Sequence, residues 1–214
     1  MATSPSEADR SYGQFCGLAR ALDLVGERWA FLVVRELALG PKRFKDLLDG
    51  LPGVSTNVLA SRLRQLERND IVQRRVLPAP AGSSVYELTE YGRDLEPAML
   101  ALGRWGARSL GPRGERVLRS HWLALALKGM LRPEAADGRA RTYEVRLPDG
   151  TFVARIRKRA LDVTAGAAED ADLVLEADDD GLVALLMTGS TEGVRVLDGA
   201  SSELDRFVEL FGFS

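Results

Sequence analysis

Leu59, Leu63 and Leu66 recur at helical spacing within residues 53–75, GVSTNVLASRLRQLERNDIVQRR, and this stretch constrains the fold more than any other. At about 100° per residue the three leucines make one apolar stripe, which has to be buried on a partner element. Asn57, Ser61, Arg64, Gln65 and Arg68 then fall on the opposite face. Arg62 lies nearer the stripe and is expected to reach a phosphate or brace the fold. Ser55 fits the N-cap position. Asn69-Asp70 turn the chain, and the periodicity changes at once: IVQRRVL is rich in β-branched residues and reads as a strand.

PAPAGSS is a loop of turn formers, and VYELT reads as a second strand, so the two strands make a hairpin with Arg74 and Arg75 at its base. Upstream, apolar spacing predicts helices over Phe15–Val25, through ERWAFLVVRELAL, and at RFKDLLDGL. Gly40-Pro41 and Pro52-Gly53 stop the second and third of these. Thr89 can cap a further helix, EYGRDLEPAMLALGRWGARSL, with a kink or frayed first turn expected at Pro97. Helices followed by a hairpin in this order make a winged helix-turn-helix. Its cationic helix fits the major groove of B-DNA, where Asn and Gln pair with adenine and Arg with guanine or phosphate. Thr56 and Asn57 in the first turn, with the free backbone N–H groups there, can meet a phosphate. Lys42 and Arg43, in GPKRF just before the short helix, complete the expected DNA-facing set.

Charge agrees. The 214-residue chain carries −2 overall, but Arg28–Arg75 holds ten Lys/Arg against five Asp/Glu, whereas Arg116 to the end holds 13 against 17. By net charge alone, the first part is expected to meet a polyanion and the second is not.

Residues 16–106 resemble the HxlR family of bacterial winged-helix transcription regulators. The likeness is carried by CGLARALDLVGERW, VVRELALGPKRFKDLL, LPGVSTNVLASRLRQLE and YELTEYG, in order and at normal spacing. Departures are GERW, where the family usually has two glycines and a lysine before the tryptophan, and NDIVQRR in place of a glycine-leucine turn. The resemblance implies a sequence-specific DNA-binding regulator, expected to repress, acting as a homodimer on an inverted repeat. It implies pairing through the first and last helices of the domain, which hold Leu18 and Leu102. It also places Cys16 where many such regulators carry a redox-sensing cysteine. A helix N-terminus lowers a thiol pKa, and Arg20 lies one turn on. The competing role for Cys16 is that of a small buried hydrophobe.

The second half changes grammar. A helix around RVLRSHWLALALKGML precedes strands at TYEVRL, TFVARIRK, ALDVTA and ADLVLEA, a helix DGLVALLMT, a strand GVRVLDG and a last helix SELDRFVELF. This is an α+β domain with a mostly antiparallel sheet. Through ADLVLEAD, LLMTGS and VRVLDGASSELDRFVELF it resembles sterol-carrier-like domains, which hold apolar ligands. That resemblance implies a cavity whose candidate lining is Trp122, Met130, Leu186, Met187, Phe207 and Phe211; the same residues also suit an ordinary core. An apolar effector bound there would act through differential affinity for two states of the dimer. The expected organisation is an arm over 1–13, a winged-helix domain over 14–110, a linker over 111–115 and an effector or dimerisation domain over 116–214.

No phosphate-binding loop, dinucleotide fingerprint or nucleophile elbow occurs. One His and one Cys do not make a zinc site of the usual kind. No enzyme activity, cofactor or metal is expected. The run DDD at 178–180 is a favourable helix-dipole placement. The amino terminus has no signal-peptide pattern, and no apolar run is long enough to span a bilayer, so the expected location is cytoplasmic, away from membranes. The rival reading is a ligand carrier whose winged helix meets proteins; the arginine face and helix-start hydroxyls favour double-stranded DNA.

Overall fold

The computed structural model describes residues 11–78 and 82–212. Most of the expected arm, residues 1–10, and the tip of the wing loop, residues 79–81, lie outside them. The chain divides into two compact units, Met1–Met99 and Leu100–Ser214.

In the first unit, α1 (Gly17–Val25), α2 (Ala30–Ala38), α3 (Phe44–Gly50) and α4 (Thr56–Arg68) precede an antiparallel hairpin, β1 (Val72–Val76) and β2 (Ser84–Leu88), then α5 (Glu90–Arg93). This is a winged helix-turn-helix. The α4 leucines drive it: Leu59, Leu63 and Leu66 are at most 1% exposed, in a core shared with Val33, Val34, Leu37 and Leu47. Burial of each such side chain contributes about 1.5–3 kcal/mol. Two helices start later than their apolar spacing suggests. Phe15 stands outside α1 and is fully exposed. α2 starts at Ala30 because Trp29 takes a left-handed φ of 79°, a conformation disfavoured by about 1–2 kcal/mol for an L residue with a side chain.

The segment expected as one helix over 90–110 is two, α5 and α6 (Glu96–Ala107). Pro97 has no N–H to continue α5, and it sits in the first turn of α6, where none is needed. Thr89 anchors the start of α5. Its Oγ1 accepts the N–H of Gly92 at 2.9 Å and donates to the carbonyl of Asp70, joining α5 to the end of α4. Gly92 is required here because a Cβ would lie 2.0 Å from the carbonyl oxygen of Ile71.

The second unit holds most of α6, then α7 (Ser120–Met130), β3 (Arg141–Leu147), β4 (Gly150–Arg157), β5 (Ala160–Ala165), β6 (Leu173–Ala177), α8 (Asp179–Thr188), β7 (Val194–Gly199) and α9 (Ser201–Phe211). The sheet order is β5-β4-β3-β6-β7, antiparallel except for β3 with β6. Alternation decides the faces. Tyr143, Val145 and Leu147 of β3, with Phe152, Ala154 and Ile156 of β4, share a core with Leu123 and Leu127 of α7, Leu182, Leu185 and Leu186 of α8, and Phe207 and Phe211 of α9. On the other face Glu144 is nonetheless 2% exposed. The connection from edge strand β5 to inner strand β6 crosses there, and Glu144 accepts the N–H of Ala168 at 2.7 Å. Burial pushes the Glu144 carboxyl up, but that N–H and the Arg146 guanidinium outweigh it, and the net shift is downward.

Gly92→Ala is expected to lower stability by about 1–3 kcal/mol in urea melts, since the new methyl has to displace backbone. Gly103→Ala, in α6 with open space at its Cβ, is expected to gain about 0.5–1 kcal/mol. Equal effects at the two sites would refute the close approach at Ile71.

Candidate nucleic-acid interface

α3, the turn through Pro52 and Gly53, and α4 form the helix-turn-helix, and the hairpin flanks it. Ser55 caps α4 by accepting the N–H of Val58 at 3.4 Å. Thr56, Asn57, Ser61, Arg64 and Arg68 are exposed along α4. They form one face, since the leucine stripe takes the other. Arg43 is exposed at the start of α3, where its own N–H is held by Asp46 at 3.0 Å.

Three residues expected on the DNA side are tied into the fold. Gln65 is 9% exposed. It accepts a hydrogen bond from Arg62, which also pairs with Glu27 at 3.2 Å. Asn69 extends this flank, donating to the carbonyl of Leu24 at 3.4 Å. The α1–α2 junction thus covers one side of α4, which removes Gln65 as an adenine reader and gives Arg62 a bracing position. Lys42 is the third. Its Nζ lies 2.6 Å from Glu36 Oε2, and its backbone bridges Tyr86 of β2 through both N–H and carbonyl. Lys42 therefore neutralises a buried charge, which ties it to the fold.

Glu36 carries no sign of function in a reading by apolar spacing, yet it organises this region. It is 0% exposed and accepts from Arg35 at 2.9 Å as well as from Lys42. A Cβ on Gly50, at the end of α3, would lie 2.6 Å from its Oε2. Burial draws the Arg35 guanidinium pKa down against the pull of Glu36. The available signal was an acid in the middle of an apolar helix with a lysine six residues on.

In the wing, Arg74 donates to Ser84 and stays exposed. Arg75 binds Glu87 through Nε and Nη2 at 2.9–3.1 Å, and Gln73 donates to the same carboxylate. Those bonds hold the Glu87 carboxyl below the usual carboxylate range. Of the wing pair, Arg74 is the cation left facing solvent without a carboxylate partner among the described residues.

Cys16 is exposed at the N-cap of α1, not buried. The backbone N–H groups of Ala19 and Leu18 lower its thiol pKa. In the second unit, Leu186, Phe207 and Phe211 are at most 2% exposed, and Trp122, Met130 and Met187 are partly buried. The rings of Phe207 and Phe211 lie 4.8 Å apart, and Tyr143 packs edge-on against Phe207 at 5.3 Å. The packing gives the two phenylalanines the role of core residues. A cleft of about 360 Å³ in this unit has a different lining, including Arg146, Pro148, Glu176 and Arg195. Among the described residues no group of acids, His and Cys could hold a metal ion, and no helix is long and apolar enough to cross a membrane.

The family model described as HxlR-like helix-turn-helix matches residues 24–113. The HTH-type transcriptional regulator sll1512 of Synechocystis sp. (strain ATCC 27184 / PCC 6803 / Kazusa) is 41% identical over 95 residues, 44% of this chain and 70% of the relative. The HTH-type transcriptional regulator YodB of Bacillus subtilis (strain 168) is 39% identical over 92 residues, 43% of this chain and 82% of the relative. A solved structure of YodB in its reduced form matches at 37% identity and a TM-score of 0.41, covering 46% of this chain and 98% of that one.

Lys42→Met is expected to destabilise the fold by about 1–3 kcal/mol, since it strips a partner from a buried charge; an unchanged urea midpoint would return Lys42 to the DNA side. Alkylation of Cys16 by iodoacetamide is expected to reach half its limiting rate below pH ~8.5, the ordinary thiol pKa. A midpoint at or above that value would show that the N–H groups of α1 do not act on the thiolate.

Proposed function

The chain belongs to the HxlR-like helix-turn-helix family, and on that premise we propose that it is a DNA-binding transcription regulator that reads an operator through the exposed face of α4. The observation that carries this reading is the separation on α4. The leucines are sealed in the core, while Asn57, Ser61, Arg64 and Arg68 stand in solvent beside first-turn hydroxyls and a hairpin. Asn57 and Arg64 are the base-edge readers, by adenine and guanine geometry respectively. Ser55, Thr56 and the opening N–H groups of α4 hold a phosphate, and Arg43, Arg74 and Arg68 serve as further backbone contacts.

The regulator acts as a homodimer in this proposal. Phe15, Leu18 and Leu22 are 112%, 70% and 41% exposed around α1, and on α6 Leu102 and Trp105 are 50% and 68% exposed. Leu18 and Leu22 stand one turn apart on α1, and exposed apolar side chains gathered in this way mark a site of protein contact. Two α4 helices would then sit about one DNA turn apart, ~34–36 Å, on an inverted repeat. Repression follows from occlusion if the repeat overlaps a promoter. Oxidation of the exposed Cys16, to an intersubunit disulfide or a small-thiol adduct, is the proposed control at α1. The second unit is proposed as an effector or dimerisation module. An apolar effector reaching Phe207 and Phe211 would have to part rings now in contact, and native mass spectrometry of the purified chain tests for a retained one.

Anisotropy with labelled DNA from upstream of its own gene tests the main reading. Affinity is expected to fall about 10³–10⁵-fold between 50 and 200 mM salt for ~6–10 phosphates neutralised. Arg64→Ala is expected to cost about 1–3 kcal/mol of specific binding. Salt-independent binding, or an Arg64→Ala variant that discriminates like the parent, would refute it.

A further inference from the structure

We propose that the turn between β4 and β5 is a second, sequence-independent contact to the DNA backbone, a role that rests on the DNA-binding reading above. Residues 155–159 are Arg-Ile-Arg-Lys-Arg, so four of the 13 cations that follow residue 115 fall within five positions, with no acid among them. The register pairs Arg157 with Ala160 and leaves Lys158 and Arg159 as a two-residue turn. Both turn residues take positive φ, 50° and 66°. A hairpin turn with positive φ at both centres strongly favours Asn-Gly, Asp-Gly or Gly-Gly. Folding alone would place small residues here, and two long cations stand there instead. Backbone strain held at an exposed position calls for a functional explanation.

The surroundings narrow the partner. Arg157, Lys158 and Arg159 are exposed, and no ion pair or side-chain hydrogen bond engages them among the described residues. Four arginines elsewhere in the unit are paired with acids: Arg141 with Asp137, Arg146 with Glu144, Arg195 with Glu176 and Arg206 with Glu209. The tip carries no aromatic ring to stack on a base and no amide to read one. It has no large apolar side chain to enter a bilayer. Long cationic stems on a protruding turn fit phosphate oxygens, a contact that positions without specifying. The tether to the reading unit gives the turn a high effective concentration at DNA already bound by α4.

The test is anisotropy on the full chain with two labelled duplexes of equal length, one from upstream DNA of its own gene and one shuffled, titrated with NaCl. The first variant is Lys158→Asn with Arg159→Gly, which suits the turn and removes its charge. The second is Arg157→Gln with Lys158→Gln and Arg159→Gln, which removes charge and keeps side-chain length. Counting both protomers of the dimer, the expected result is a log–log salt slope shallower by about 3.6 for the first variant and about 5.4 for the second, at ~0.9 per phosphate. Both duplexes should weaken by the same factor, and the first variant should melt at or above the parent temperature. Slopes equal to the parent's in both variants would overturn the hairpin contact and leave the α4 reading intact. A parent that binds neither duplex would remove both, and Arg64→Ala separates the roles, because it should erode discrimination where the hairpin variants preserve it.

Discussion

A single buried carboxylate holds the reading head in shape. Glu36 lies in the core of the first unit with no solvent exposure, bonded to Lys42 and Arg35. A buried charge that loses a partner is costly, so the partners of Glu36 hold this part of the fold in place. Lys42 also forms the backbone bridge to Tyr86, which fastens the segment before α3 to the hairpin. Gly50, at the other end of α3, closes against the same carboxylate. One charge on α2 therefore sets α3 and the wing together, and α4 follows because only the short turn over residues 51–55 separates it from α3.

That arrangement sets apart two groups among the arginines and lysines around the reading head. Arg35 and Lys42 serve Glu36, Arg62 serves Glu27 and Arg75 serves Glu87. Arg43, Arg64 and Arg74 remain on the outside with the hydroxyl and amide side chains of early α4. The first group makes the second effective, since a recognition helix presents its face only if its other sides are fixed. Arg62 and Gln65 lock one flank of α4 to the α1–α2 junction and limit rotation of the helix about its axis.

The fold was legible where one periodicity ran unbroken. The leucine stripe of α4, the hairpin after it and the alternating strands of the second unit follow from residue spacing, as does the interruption at Pro97. What escaped such a reading depends on neighbours remote in sequence. A helical wheel puts Gln65 well away from Leu59, Leu63 and Leu66, and that spacing does not signal that Leu24 and Glu27 cover that flank. Glu144 alternates as a solvent-facing strand residue should, but the β5–β6 connection crosses above it. Trp29 is a strong helix-interior residue by its apolar character, yet it sits at a left-handed φ that no propensity would assign to it. On the candidate site, spacing located the face of α4 and missed the internal duties of Lys42 and Gln65, because hydrogen-bond partners are not encoded in periodicity.

The slight negative charge of the chain also acquires a physical account. Acids and bases are paired off at Glu36, Glu27 and Glu87 in the first unit, and at Asp137, Glu144 and Glu176 in the second. Such pairs are nearly invisible to a polyanion beyond a Debye length of about 10 Å. The field that a DNA duplex meets is then set by where the charges outside these pairs are placed, not by the net charge of −2. A protein arranged this way avoids the broad non-specific attraction of a polycation and keeps its positive potential on the elements that have a defined geometry for phosphate. In the proposed reading mode, specificity would rest on a small exposed set on α4, so each side chain would carry a large share of the discrimination.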